Sequence, residues 1–65
     1  MTKKHFIALA RRLKDDIEAS KRFGADEEKR TRDAATYAAY AFADIASQDN
    51  ARFDRERFLV AAGVK

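Results

Sequence analysis

The sequence predicts an all-α protein, in which an antiparallel pair of long helices is followed by a short third helix. Apolar residues recur at intervals of three and four, proline is absent, and glycine occurs at only two positions. The 65 residues make one small domain, spanning 1–65. Fourteen of the apolar residues are alanine, which leaves few large side chains for a core. Because a small core stabilises a chain only marginally, we expect the protein to assemble as a homo-oligomer.

The first helix is predicted to run from about Lys3 to Phe23. Thr2 is the expected N-cap, because its hydroxyl can accept a hydrogen bond from an unpaired backbone N–H. The residues of its predicted apolar face are Phe6, Leu9, Ala10, Leu13, Ile17 and Ser20. Gly24 lies just beyond this pattern, where a residue in the left-handed conformation commonly ends a helix.

The second helix is predicted to begin with Asp26 as its N-cap, and its body (34–46) is apolar on nearly every side. The predicted inward face consists of Ala34, Ala38, Ala41 and Ile45, flanked by Tyr37 and Phe42; Ala39, Ala43 and Tyr40 lie on the other side. A helix that is apolar all round is buried on several sides. We therefore expect it to be covered by the first helix, the C-terminal segment and another copy of the chain. Alternatively, the face of the second helix that the rest of the chain leaves uncovered binds a different partner.

Residues 47–52 are polar and aperiodic, so a loop is predicted there. The third helix is predicted to start at Asp54 and to end at Gly63. Phe53 and Phe58 have the spacing of a hydrophobic staple, in which a residue before the N-cap packs against the fourth helical residue. Phe58, Leu59 and Ala62 are expected to face the core.

Charge and cysteine content exclude several classes of protein. The net charge is +3, with basic ends and an acidic middle. Cysteine is absent, so disulfides and thiolate metal sites are excluded. No apolar run approaches the roughly 20 residues of a transmembrane helix, and we expect a soluble, cytosolic protein that does not bind membranes.

No catalytic, cofactor or metal site is predicted. His5 is the single histidine, and the nearest acid in sequence is Asp15. Ser20 and Ser47 lack a neighbouring histidine, and two isolated glycines cannot form a phosphate-binding loop. We therefore expect that the protein is not an enzyme.

Basic residues close to aromatic residues are the candidate binding site. Lys29, Arg30 and Arg32 precede Tyr37 and Tyr40, and such a set can hold phosphate and stack a base. Further bases that could complete the site across a subunit interface are Arg52, Arg55 and Arg57. The alternatives are that the tyrosines belong to the core or an interface, and that the bases form salt bridges.

Both ends of the chain carry recognisable segments. Residues 1–10 read Met-Thr-Lys-Lys-His-Phe-x-Ala-x-Ala, and residues 52–59 read Arg-Phe-Asp-Arg-Glu-Arg-Phe-Leu. They resemble a group of short bacteriophage and prophage proteins of uncharacterised function, over residues 1–10 and 52–65. That group has Asn-Pro before the Arg-Phe and ends in Ala-Cys-Gly, where this chain has Asn50-Ala51 and Ala61-Ala62-Gly63. The resemblance implies a phage accessory gene and transfers no catalytic residue.

Phage origin leads to a functional hypothesis. We expect a non-enzymatic protein that counteracts host defence in the host cytoplasm by stoichiometric binding. The most specific version of this hypothesis is that the protein sequesters a cyclic nucleotide signal. One alternative is an inhibitor that docks a helix face onto a host defence protein, and it predicts an exposed apolar patch around Tyr40 and Ala43. The other is a small DNA-binding regulator, whose affinity should fall linearly with the logarithm of salt concentration.

Overall fold

The computed structural model describes residues 3–65, which are mostly helical. Helix α1 spans Lys3–Ser20 and continues into a 3₁₀ turn, Lys21–Phe23; helix α2 spans Ala25–Asp49, and helix α3 spans Arg55–Ala61. The described residues contain no strand. The prediction of an all-α chain with two long helices and a short third one is confirmed. The predicted N-cap, Thr2, lies outside the described residues.

Helices α1 and α2 form an antiparallel hairpin. The ring of Phe6, near the start of α1, lies 5.5 Å from the ring of Phe42 in the second half of α2, measured between centroids. The 3₁₀ turn joins the opposite ends of the two helices. The chain reverses at Gly24, whose φ of +99° lies in a region that glycine enters at little cost. On α1, the buried residues Ala10, Ile17 and Ser20 belong to the predicted face.

Both predicted boundaries of α2 are wrong. The helix begins at Ala25, directly after the turn at Gly24, so Asp26 lies inside the first turn instead of capping it. There it joins two glutamates in favourable interaction with the helix dipole. At the other end the helix continues through Ser47 to Asp49, and the N–H of Asn50 donates to the carbonyl of Ala46 at 2.9 Å. The polar character of 47–49 reflects an end of the helix that projects towards solvent, not a loop.

The buried face of α2 also differs from the prediction. Its buried residues are Ala35, Ala39, Ala43 and Ala46. The predicted inward face is exposed, and we call Ala34, Tyr37, Ala38, Ala41 and Ile45 the outer face of α2. The physical reason is size: the fully buried positions of α2 are all alanine, which leaves room for the large side chains of α1 and α3, and Tyr40 and Phe42 pack beside them. Because alanine lies on both sides of α2, composition alone did not distinguish them.

Helix α3 docks on the hairpin as predicted. Phe58, Leu59 and Ala62 are buried, and they form one core cluster with Ala10, Ala39 and Ala43. The carboxylate of Asp54 caps the helix by accepting from the N–H of Arg57 at 3.0 Å. The rings of Phe53 and Phe58 lie 5.7 Å apart, which confirms the hydrophobic staple.

The end of α3 is a Schellman motif. Gly63 has a φ of +77°. The N–H of Val64 donates to the carbonyl of Leu59 at 3.2 Å, and the N–H of Gly63 donates to that of Val60 at 3.0 Å. This is the pair of bonds that satisfies the last carbonyls of a helix when glycine follows it. Val64 then packs against the core cluster, so the motif also anchors the end of the chain.

Candidate anion-binding groove

A groove of about 540 Å³ lies between the first turns of α1, helix α3 and the loop that precedes α3. Its floor is mainly apolar and includes Phe6, Phe53 and Phe58. The other residues that line it are Lys3, Ile7, Ala10, Asn50, Arg52, Asp54, Arg57 and Ala61. No residue of α2 belongs to the lining, so the groove is built from the two ends of the sequence.

Four phenylalanines hold the floor of the groove in place. Phe6 contacts Phe53 at 4.7 Å and Phe42 at 5.5 Å between ring centroids. Phe58 contacts Phe42 at 5.3 Å and Phe53 at 5.7 Å, which closes a ring of contacts. Tilted and edge-on arrangements of this kind are the favourable geometry for aromatic pairs. The cluster therefore fixes α1, α2 and α3 to one another beside the groove.

Three cations and one acid line the groove. Lys3, Arg52 and Arg57 are the cations, and none of them forms an ion pair with any residue of the range 3–65. The acid is Asp54, whose carboxylate is occupied in capping α3. The groove therefore combines an apolar floor with an excess of positive charge, which suits an anion that also has an apolar or planar part.

Arg52 and Arg57 are the two predicted site residues that the structure brings to this groove. Sequence reasoning did not assign Lys3, Phe6 or Ile7 to the site. Because the N-terminal and C-terminal segments meet only in the folded chain, no local spacing could have joined these residues. The one indication in the sequence that the two segments meet was the presence of phenylalanine near both ends of the chain.

The predicted cluster at the start of α2 lies elsewhere, and its cations are paired with acids of the same helix. Lys29 is 3.2 Å from Asp33, Arg30 is 3.1 Å from Glu27, and Arg32 is 3.2 Å from Glu28. The side chains of the first two pairs are largely exposed, whereas Arg32 and Glu28 are 48% and 29% exposed, so the pairs contribute little to stability. They correspond to the salt-bridge alternative. Arg30 is also roughly 15 Å along the helix from Tyr40, at 1.5 Å per residue.

The third part of the predicted site links α2 to α3. The guanidinium carbon of Arg55 lies 5.2 Å from the centroid of the Tyr40 ring, and its Nε is 3.1 Å from the carboxylate of Asp44. Tyr37 is 81% exposed and, with Tyr40, borders a shallow depression of about 480 Å³. Arg55 and Tyr40 therefore have an interhelical contact of their own, whereas Tyr37 is open to solvent.

The apolar patch required by the helix-docking alternative is not where the sequence placed it. Ala43 is fully buried and Tyr40 is half-buried. The exposed apolar surface is the outer face of α2, on which Ile45 is 67% exposed. The patch around Tyr40 and Ala43 is therefore a wrong prediction, because that side of α2 packs against the core.

The described residues offer neither a metal site nor a membrane span. Within residues 3–65, no three His, Cys, Asp or Glu side chains are grouped so that they could hold a metal ion. Among the same residues, no helix combines the length and the apolar character needed to cross a bilayer.

Comparison with known proteins returned no match, whether with protein-family models, with curated proteins or with solved structures.

Proposed function

We propose that this chain is a non-enzymatic binding protein whose groove between α1 and α3 captures a phosphate-bearing ligand, with a cyclic nucleotide as the leading candidate. The observation that carries the proposal is the set of three cations without ion pairs beside a floor of phenylalanine rings. Lys3, Arg52 and Arg57 would meet phosphate oxygens, and the half-buried rings of Phe6 and Phe53 would meet the base.

Physical chemistry favours this division of roles. The planar guanidinium of arginine binds phosphate through two parallel hydrogen bonds, and charge assistance strengthens them. An aromatic ring that stacks on a base contributes about 1–3 kcal/mol. The groove volume of about 540 Å³ also lies within the usual range of small-molecule sites, ~300–1,000 Å³.

The cluster at the start of α2 is the competing site for the same ligand. There, Lys29, Arg30 and Arg32 would have to exchange carboxylate partners for phosphate oxygens. At the groove no such exchange is required of Arg52 and Arg57. This difference is why we place the ligand at the groove first.

The biological setting is part of the proposal. We place the protein in a phage genome and in the host cytoplasm, where it would counteract host defence by titrating a signal. The resemblance of residues 1–10 and 52–65 to phage proteins supports this setting. We also propose that the chain self-associates, which is supported by the exposed outer face of α2.

Isothermal titration calorimetry with cyclic di-AMP, followed by other cyclic dinucleotides, tests the site through two matched double variants. Arg52→Gln with Arg57→Gln changes the groove, and Lys29→Gln with Arg30→Gln changes the α2 cluster. Each double variant lowers the net charge by two, from +3 to +1. A general effect of charge would therefore weaken binding equally in both.

The proposal expects the groove variant to lose about 150-fold or more in affinity, because two charge-assisted hydrogen bonds contribute about 1.5–3 kcal/mol each and every ~1.4 kcal/mol is a factor of ten. The α2 variant should lose less than about threefold. A larger loss in the α2 variant would move the site to that cluster. Absence of heat with every dinucleotide, together with binding of a DNA duplex whose affinity falls linearly with log salt, would favour the DNA-binding alternative.

A further inference from the structure

We propose that the outer face of α2 is the contact surface between two copies of this chain, packed antiparallel about a twofold axis near Ala38 and Ala41. This inference rests on the self-association proposed above and names its surface, symmetry and orientation. Two independent features carry it, the surface area of the single chain and the charges that flank the outer face.

The single chain exposes more surface than a monomer of its size should. Its accessible surface is 4966 Å². A folded monomer of 7.4 kDa is expected to expose about 4,200 Å² by the usual scaling with mass. The excess of about 750 Å² is close to the ~800 Å² that each partner buries in a standard interface. A second copy that buries an area of this size would bring the surface to the expected value.

The outer face has the shape that close helix packing requires. Three of its five residues are alanine, and alanine lets two helix axes approach to about 8 Å. Its larger members, Tyr37 and Ile45, are 81% and 67% exposed. The apolar stretch runs from Ala34 to Ile45, and an antiparallel pair overlaps it completely when Ala34 faces Ile45 of the partner subunit. In that register, Ala38 faces Ala41 of the partner subunit.

The charges at the two ends of this stretch favour the antiparallel orientation. The same register places Arg30, which also pairs with Glu27 of its own helix, beside Asp49 of the partner subunit. Asp49 forms no ion pair within the described part of its own chain. A parallel pair would instead set Arg30 against Arg30 and Asp49 against Asp49. Antiparallel helix dipoles also attract each other.

A dimer of this kind leaves the groove accessible, since none of the groove-lining residues belongs to α2. Self-association and ligand capture therefore involve separate surfaces. Each can be tested without disturbing the other.

Sedimentation equilibrium at about 10–100 µM, with Ala38→Glu as the variant, tests the surface. The wild-type chain should have twice the monomer mass of 7.4 kDa. Ala38→Glu should weaken dimerisation about a hundredfold or more, because it places two carboxylates at a desolvated twofold axis. Ala38 is exposed in the single chain, so far-UV circular dichroism should stay unchanged at concentrations where both proteins are monomeric. Ala8→Glu, at a position on α1 that is also exposed, is the matched control and should remain dimeric.

The distance between spin labels attached at Gln48→Cys in the two copies tests the orientation, and the label goes to this position alone because the chain has no other cysteine. In the antiparallel register the two labelled backbones lie roughly 26 Å apart along the helix axes, from 1.5 Å per residue. A parallel pair would bring them to about 10 Å, the separation of the axes themselves.

The outcomes separate the two proposals. A wild-type monomer throughout this concentration range overturns self-association and this interface together. A dimer that Ala38→Glu leaves intact, or that Ala8→Glu disrupts equally, overturns the interface alone, and so does the short label distance. Cyclic dinucleotide binding by Ala38→Glu should equal that of the wild type, so failure of the interface leaves the groove proposal standing.

Discussion

Leu59→Ala should remove most of the stability of this protein. Leu59 is fully buried and has the largest side chain that is completely excluded from solvent. Leu→Ala in a core costs about 2–5 kcal/mol, and the cost is greatest where the surroundings cannot relax. Here Ala39, Ala43 and Ala62 belong to the same cluster, and their side chains are too short to fill the space. We expect a loss of about 3 kcal/mol out of a total of roughly 3–10 kcal/mol for a chain of this length.

Thermal unfolding followed by circular dichroism, at one fixed protein concentration, measures this loss. A loss of about 3 kcal/mol should lower Tm by roughly 15–20 °C, since a domain of this size shifts by about 4–8 °C per kcal/mol. Concentration must be fixed because the proposed self-association would make Tm depend on it. Val60→Ala is the control, because Val60 is next in sequence but 61% exposed, and it should shift Tm by less than about 4 °C. If both substitutions cost the same, α3 does not dock through Leu59 and the described core is wrong.

Substitutions at three further positions test other parts of the structure. Gly63→Ala should cost about 1–2 kcal/mol in urea unfolding because of the positive φ, whereas Gly63→Asn should cost clearly less; equal costs would contradict the Schellman geometry. Asp54→Ala should lower the free energy of unfolding by about 1 kcal/mol, because it removes the cap of α3. Asp54→Asn keeps the cap but removes the negative charge, so it should tighten cyclic dinucleotide binding about two- to fivefold at low salt. Unchanged affinity in Asp54→Asn would mean that the ligand lies elsewhere. Arg55→Gln should lower the free energy of unfolding by about 0.5–1.5 kcal/mol, because it removes the contacts of Arg55 with Asp44 and Tyr40. The affinity for the dinucleotide should stay within about twofold of the wild type. A larger change would point to a site at the tyrosines.

Local signals predicted the parts of the fold that depend on neighbours in sequence. The cap at Asp54, the staple between Phe53 and Phe58, and the stop at Gly63 all depend on residues within one or two turns. The buried face of α1 was predictable because, apart from the exposed Ile7, its leucine, isoleucine and phenylalanine residues recur on one side. In each case the buried and exposed positions differ clearly in the size or the polarity of their side chains, so the sequence indicates which side is buried.

The face of α2 and the groove could not be predicted in the same way. Alanine occupies both sides of α2, so the choice between Ala39 and Ala38 depends on which side the large residues of α1 and α3 cover. The groove joins Lys3 and Phe6 to Arg57 from the far end of the chain, and this pairing exists only after folding. The acids that pair with Lys29, Arg30 and Arg32 lie three or four residues away on the same helix, so that spacing already indicated the salt-bridge alternative.

The groove has a kinetic consequence that follows from its construction. Helix α3 supplies one wall, and a helix of seven residues does not persist in water without its packing partners. Whenever α3 undocks locally, the groove is therefore lost and any bound ligand is released. The residence time of a ligand cannot exceed the interval between such openings, and a bound ligand in turn makes them rarer. Amide exchange in residues 55–61, under conditions where its rate equals the rate of opening, would thus set an upper limit on the lifetime of the complex.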